Sequence, residues 1–243
     1  MKILLFFLCF FFTIKLAFSQ VTATDSLAEV QVKNVVQLYK NYTDGNAPVY
    51  NGAEYIYYIF QMRGNPFFNL GDSSDNWVSY ANEIYQPLAI LYDIQRNQVV
   101  VLLPDSVSRI VLHNELVDSF GILNHTFIKL EENHNQNLYT SGFYEILHSG
   151  HVQLLSRRTK TLQDLIETNS AISVFLEKDR YYIHKNNLYY MVDNQKDVFS
   201  VFSDKRHDLK KFLRKQHLKM RGKNFEGALI QATAWYDKHN SSL

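Results

Sequence analysis

From Trp77 to Leu130 the chain repeats one pattern: short runs of apolar, β-branched and aromatic residues, separated by a few polar ones. "WVSY" is followed across Ala81-Asn82 by "EIYQPLAILYDI", which turns at Gln95–Gln98 into "VVVLL". "SRIVLH", "ELVDSFGIL" and "HTFIKL" come next. Strands at this spacing, joined by short polar turns, predict an antiparallel meander laid out as an up-and-down sheet or a partly open barrel. "LAIL" and "VVVLL" are apolar on consecutive positions, which predicts central strands covered on both faces.

The series continues in "YEILHSGHVQLL", where apolar residues flank Ser149-Gly150, a pair able to close a two-residue hairpin. That turn sets His148 opposite His151, on one side of the sheet. Two imidazoles are half of a zinc site, which needs three or four protein ligands. No third ligand follows at a local spacing, so a solvated hairpin tip is expected rather than a metal site. A second hairpin, "RYYIHKNNLYYMV", turns at Lys185–Asn187. Its two tyrosine doublets read as a packing and hydrogen-bonding face.

Beyond Val192 the period changes. "KDVFSVF" fits a short helix. "SDKRHDLKKFLRKQH" opens on Ser203-Asp204, good N-cap residues, and carries the apolar stripe Leu209, Phe212 and Leu213. A third helix starts near Asn224, with Phe225, Ala228, Leu229, Ala232, Trp235 and Tyr236 at helical spacing on one apolar face. Trp235 is expected to pack on the sheet. Upstream, Leu27, Val30, Val35, Val36 and Tyr39 follow a helical spacing in part, which gives an N-terminal helical segment over 20–46. The predicted fold is α+β and mainly β: an antiparallel body over 47–192, with a helical part over 193–243 packed on it.

The first residues read MKILLFFLCFFFTIKLAFSQ. Lys2 precedes an apolar run too short to span a bilayer, which takes about 20 residues. Ala17 and Ser19 are small residues placed for cleavage between Ser19 and Gln20. These are the marks of a secretory signal peptide over 1–19. The expected mature chain, 20–243, is a single domain exported to the periplasm, the outer membrane or the medium. Cys9, the only cysteine, lies in the removed segment, so no disulfide and no thiolate chemistry are expected. No later stretch reads as a transmembrane helix.

Charge is divided unevenly. Residues 20–155 hold 6 Lys/Arg and 14 Asp/Glu, a net of −8, whereas residues 156–243 hold 17 and 10, a net of +7. Nine cations, Lys205, Arg206, Lys210, Lys211, Arg214, Lys215, Lys219, Arg221 and Lys223, share one stretch with a single acid, Asp208. A basic stretch behind an apolar stripe suits anionic lipid headgroups or an acidic partner. The alternative, favoured by the sequence, is a solvated helix face whose charges complement the protein's own acidic half. Nucleic acid is not an expected partner of an exported protein.

The nucleophile-elbow, zincin, Walker and dinucleotide-binding patterns are all missing. No catalytic residue and no cofactor are assigned. Glu83, Asp93 and Glu145 are dispersed carboxylates able to meet in space, although Asp93, at a strand end, reads first as a turn residue.

The ordered pieces "LYKNY", "YNGAEYIYY", "GNPFF", "PLAILYDIQRNQVVV", "GFYEILHSG", "RRTKTLQD", "RYYIHKNNLYYMV" and "KNFEGALIQATAWYD" span most of the mature chain. In their order they resemble a family of small uncharacterised secreted proteins of Gram-negative bacteria. The resemblance implies export past the inner membrane and a β-rich body with a helical end. It implies no activity, and other polar residues stand in its pattern at the positions of His148 and His151. The expected function is therefore a non-enzymatic periplasmic or envelope-associated interaction module, whose partner is an envelope protein or an anionic membrane surface. The rivals are a lipid-carrier or chaperone-like half-barrel with an apolar cavity and, more weakly, a hydrolase built on dispersed carboxylates.

Overall fold

The computed structural model describes residues 47–58, 62–69, 75–103, 105, 107–167 and 170–240. The signal segment with its Ser19-Gln20 junction and the helical segment over 20–46 lie outside these residues.

The described chain begins with short strands, β1 (Ala53–Glu54) and β2 (Met62–Arg63). The predicted strand series follows as β3 (Trp77–Tyr80), β4 (Glu83–Tyr85), β5 (Ile90–Asp93), β6 (Gln98–Leu102), β7 (Arg109–Val111), β8 (Val117–Ile122), β9 (His125–Leu130), β10 (Gly142–His148) and β11 (Gln153–Arg157). Then come β12 (Lys160–Glu167), β13 (Ser170–Glu177), β14 (Arg180–Lys185) and β15 (Leu188–Val192). Helices α1 (Gln195–Val201), α2 (Arg206–Lys215) and α3 (Phe225–Asn240) close the described part. The protein is mainly β, with antiparallel sheets and C-terminal helices, and the sheets stay open rather than closing into a barrel.

The strands form three sheets: β1-β7-β6-β5, β15-β14-β11-β10-β9-β8-β3-β4 and β12-β13-β2. Every pair is antiparallel except β13–β2. The single meander expected over 77–130 is thus divided. Glu83–Asp93 is not one strand but two, β4 and β5, in different sheets. Pro87 explains the break, because it brings no N–H to a ladder. The turns expected at Ala81-Asn82 and within Lys185–Asn187 take the positive φ of hairpin turns at Ala81, Asn82, Asn186 and Asn187, and Leu123-Asn124 does the same between β8 and β9.

One face of the eight-stranded sheet carries the core in two parts. At β8, β9 and β10, Phe120, Phe127 and Phe143 meet Tyr92 of β5 edge to face, with ring centroids 5.0, 5.1 and 5.8 Å away. The four-stranded sheet packs here, and Val99, Val100 and Val101 of β6 are fully buried, as expected for a strand covered on both faces. Further along the same face, Leu154, Ile183 and Val192 pack with Phe202, Leu209, Leu213, Leu229, Ala232 and Tyr236 from the helical part. The two parts meet at Glu145 and Ser156, which are opposite one another in the β10–β11 register.

Two sequence expectations need correction in the helical part. Ser203-Asp204 does not cap α2: Ser203–Lys205 form a 3-10 turn, and no side chain caps the helix. Asp204 instead accepts from Lys185 Nζ at 3.1 Å and Tyr236 Oη at 2.9 Å. Trp235 is only half-buried, at the margin of the core that the helices share with the sheet. At 100° per residue it lies about 80–100° off the centre of the buried stripe of α3, and it stacks on Phe212 of α2 with ring centroids 5.5 Å apart. Tyr236 is the buried aromatic of that turn.

Candidate anion-binding face

Helix α2 presents two unlike sides. Leu209 and Leu213 are buried, which fixes the rotation of the helix. With 100° between residues, Lys211 lies opposite the buried leucines, flanked by Lys210 and Arg214 on one side and by Lys215 on the side toward α3, while Arg206 borders the buried stripe. Arg206, Lys210, Lys211, Arg214 and Lys215 are exposed, as are Lys219, Arg221 and Lys223 in the following connection, and Lys205 is half-buried. Among the described residues, no ion pair joins any of the nine to a carboxylate. The helix face is solvated, and no direct pair with an acid of the first half is made among the described residues, outside which lie Asp25, Glu29, Asp44 and Asp72. The apolar stripe turns them outward, into solvent, where such a face costs the fold little.

On the α3 side of α2 lies an open groove of about 420 Å³. Phe212, Trp235 and His239 form its aromatic part, with Trp235 and His239 stacked at 4.5 Å. Lys205, Lys211 and Lys215 line it together with one acid, Asp208. His239 Nδ1 donates to the carbonyl of Trp235 at 2.7 Å, which holds the ring against the indole. Sequence reading identified the cations but not the groove. Its two walls are about 25 residues apart, and Trp235 lies at the margin of the core rather than within it.

His148 and His151 are not a facing pair. The β10–β11 register runs Glu145↔Ser156, Ile146↔Leu155 and His148↔Leu154, with a bulge between Ile146 and His148. The bulge re-aims His148 toward the helical layer. There its Nε2 lies 3.2 Å from Asp237 Oδ2 of α3, while Asp237 Oδ1 accepts the Val152 N–H at 3.0 Å. Gly150 makes this docking possible, since a Cβ on it would come within 1.9 Å of Asp237 Oδ2. His151 is exposed. The hairpin end is thus pinned to the last helix rather than free in water, and no group of three metal-ligating side chains occurs among the described residues. Asp237→Ala is expected to cost about 1–3 kcal/mol, because it orphans a buried N–H. His151→Asn should stay within about 0.5 kcal/mol. Equal denaturant midpoints for the two variants would show that the pin carries no stability.

The dispersed carboxylates are held apart by separate sets of partners. Exposed Glu83 accepts from the Tyr85 hydroxyl at 2.8 Å. Buried Asp93 caps the β5–β6 turn, accepting the N–H groups of Gln95 and Arg96 at 3.0 and 2.9 Å. It also accepts the Tyr55 and Tyr58 hydroxyls at 2.8 and 3.1 Å. Burial, then the Asp93 carboxylate, raises the Tyr55 phenol far above its ordinary value.

Glu145 belongs to a buried ionic cluster at the junction of the two core parts. Arg158 donates from Nε to Glu145 at 2.5 Å, and from Nη1 to Asp179 at 2.6 Å and Glu226 of α3 at 2.5 Å. His125 Nδ1 meets the second Glu145 oxygen, and the Tyr181 hydroxyl donates to Glu226 at 3.0 Å. Burial opposes ionisation of Glu226, but the Arg158 hydrogen bond and charge outweigh it and hold the carboxyl below the usual range. At Asp179 burial wins over Arg158, and its carboxyl is raised. The arrangement ties α3 to β10 and to the β13–β14 connection.

No family model, no curated protein and no solved structure matches this chain.

Proposed function

We propose that this protein is an exported, non-enzymatic interaction module that attaches peripherally to an anionic membrane surface through the outer face of α2. The observation that carries this reading is the outward set of cations between Lys205 and Lys223, none of them ion-paired within the described residues, on a helix whose apolar side is locked into the core. A convex arc of arginine and lysine fits a broad, planar anionic surface. The mode is electrostatic, because Leu209 and Leu213 are committed to the core and have nothing left to insert. No described helix is long and apolar enough to cross a membrane. The export element rests on the sequence of residues 1–20, in keeping with the resemblance to secreted proteins of Gram-negative bacteria. The carrier alternative loses support because the face it would keep empty is filled by Tyr92, Phe120, Phe127 and Phe143.

The test is the triple variant Arg206→Glu/Lys210→Glu/Arg214→Glu, with vesicles containing phosphatidylglycerol compared with pure phosphatidylcholine. Each cation near an anionic surface is worth about 1 kcal/mol, so the variant should bind about a hundredfold more weakly or worse, with its melting temperature unchanged. Undiminished vesicle binding by the variant would remove α2 from the account. Capture of an acidic protein in place of vesicles would replace the membrane by a protein partner.

A further inference from the structure

We propose that copies of this chain associate head to tail, the acidic corner of one copy seating in the α2–α3 groove of the next. The corner is at the β4 end of the eight-stranded sheet. The Ala81 N–H donates to the Leu116 carbonyl at 2.8 Å and brings the turn Asn114–Leu116 beside the β3–β4 turn. Glu83, Glu115 and Asp118 are exposed there. No lysine or arginine ion-pairs with these three among the described residues, and His113 Nδ1 lies 3.7 Å from Glu115. Among these acids stand two exposed aliphatic side chains, Ile84 at 70% and Leu116 at 43% exposure.

The groove is the complement of this corner. Its floor is aromatic, its rim carries Lys205, Lys211 and Lys215, and it is open to solvent. Exposed acids near exposed aliphatic side chains meet aromatic side chains beside three lysines and one acid, Asp208, so apolar contact and net charge favour the same placement. Both surfaces belong to one chain, at separate places on it. The corner lies on edge strand β4, and the helices sit over β10, β11 and β15 toward the other end. α3, one wall of the groove, contacts β10 and β11, four and five strand spacings from β4, roughly 19–24 Å, and no residue of the corner lines the groove of its own copy. Two different patches make the contact heterologous, and a heterologous contact either closes into a ring or continues as an open series. The contact shares Lys205, Lys211 and Lys215 with the membrane reading, but its acidic half lies outside that basic face, so the acid-neutral variant below separates the two.

Sedimentation velocity of the mature chain tests the contact. At low salt the mean mass should rise with concentration past that of a dimer. At about 0.5 M salt, where the Debye length shrinks to roughly 4 Å, it should return to the monomer. The acid-neutral variant Glu83→Gln/Glu115→Gln/Asp118→Asn and the base-neutral variant Lys205→Gln/Lys211→Gln/Lys215→Gln should each be monomeric alone. Mixed in equal amounts they should form a one-to-one pair and nothing larger, because only one acidic corner and one basic groove remain. A wild-type chain that stays monomeric at every concentration and salt, variants that assemble like wild type, or a mixture that forms no pair would each overturn the proposal. The acid-neutral variant should bind anionic vesicles like wild type, so loss of self-association with retained vesicle binding isolates this contact from the membrane reading.

Discussion

Arg158→Met is expected to lower unfolding stability by about 3–5 kcal/mol, the usual cost of removing one partner from a buried ionic group. Glu145 is only 2% exposed and takes its hydrogen bonds from Arg158 and His125. Without the guanidinium its charge stays in the core against Asp179 and Glu226, and two helical and sheet segments lose their common donor. The pH dependence of the loss has a definite sign. In the wild type the depressed Glu226 carboxyl contributes stability that is present above its ordinary value of 4.5 and lost as pH falls through its folded value. The raised Asp179 carboxyl acts oppositely: its contribution is favourable at low pH and lost as pH rises. In the variant, protonation relieves the stranded carboxylates, so the difference from wild type should narrow as the solution is acidified below about pH 5. Urea midpoints measured at neutral and acid pH check both points. A difference that is small at neutral pH, or that widens in acid, would show that Arg158 does not hold these carboxylates together.

Phe127→Ala should cost a similar amount, about 3–5 kcal/mol, by emptying a space that close-packed neighbours cannot refill. The ring is fully buried. It stacks on Phe120 with centroids 4.9 Å apart, and its edge contacts reach Tyr92 at 5.1 Å and Phe68 at 5.0 Å. It thus joins the eight-stranded sheet to the four-stranded one. The guanidinium chloride midpoint should fall with little change in slope. A midpoint near wild type would mean that the two sheets do not share a core at this point.

The sequence made the strands legible because their period is local. "VVVLL" and "HTFIKL" are near β6 and β9, and the asparagine-rich turns are where the chain reverses. The partition of those strands was not legible, since nothing next to Pro87 says that β4 and β5 pair with different neighbours. The β12–β13 hairpin was also missed. Its residues have no clean alternation: Leu162 pairs with Phe175 on one face and Leu165 with Ile172 on the other, so neither face reads as core. The Arg158 cluster joins positions separated by 13 to 68 residues, and no local pattern announces such a meeting. His148 was placed wrongly for a related reason. Whether the strand held a bulge depended on Asp237, 89 residues away. The basic stretch, by contrast, was plain in composition. Its relation to the rest became visible only once Leu209 and Leu213 had fixed which way the helix turns.

The most direct measurement is binding of the wild-type mature protein to phosphatidylglycerol-containing vesicles as salt is raised. The account predicts binding at low salt that fades steeply as the Debye length drops from about 30 Å at 0.01 M to about 8 Å at 0.15 M, and no binding to phosphatidylcholine at any salt. Binding that ignores salt, or that is equal on the two lipids, would contradict an electrostatic role for the outer face of α2. So would the absence of binding at the lowest salt.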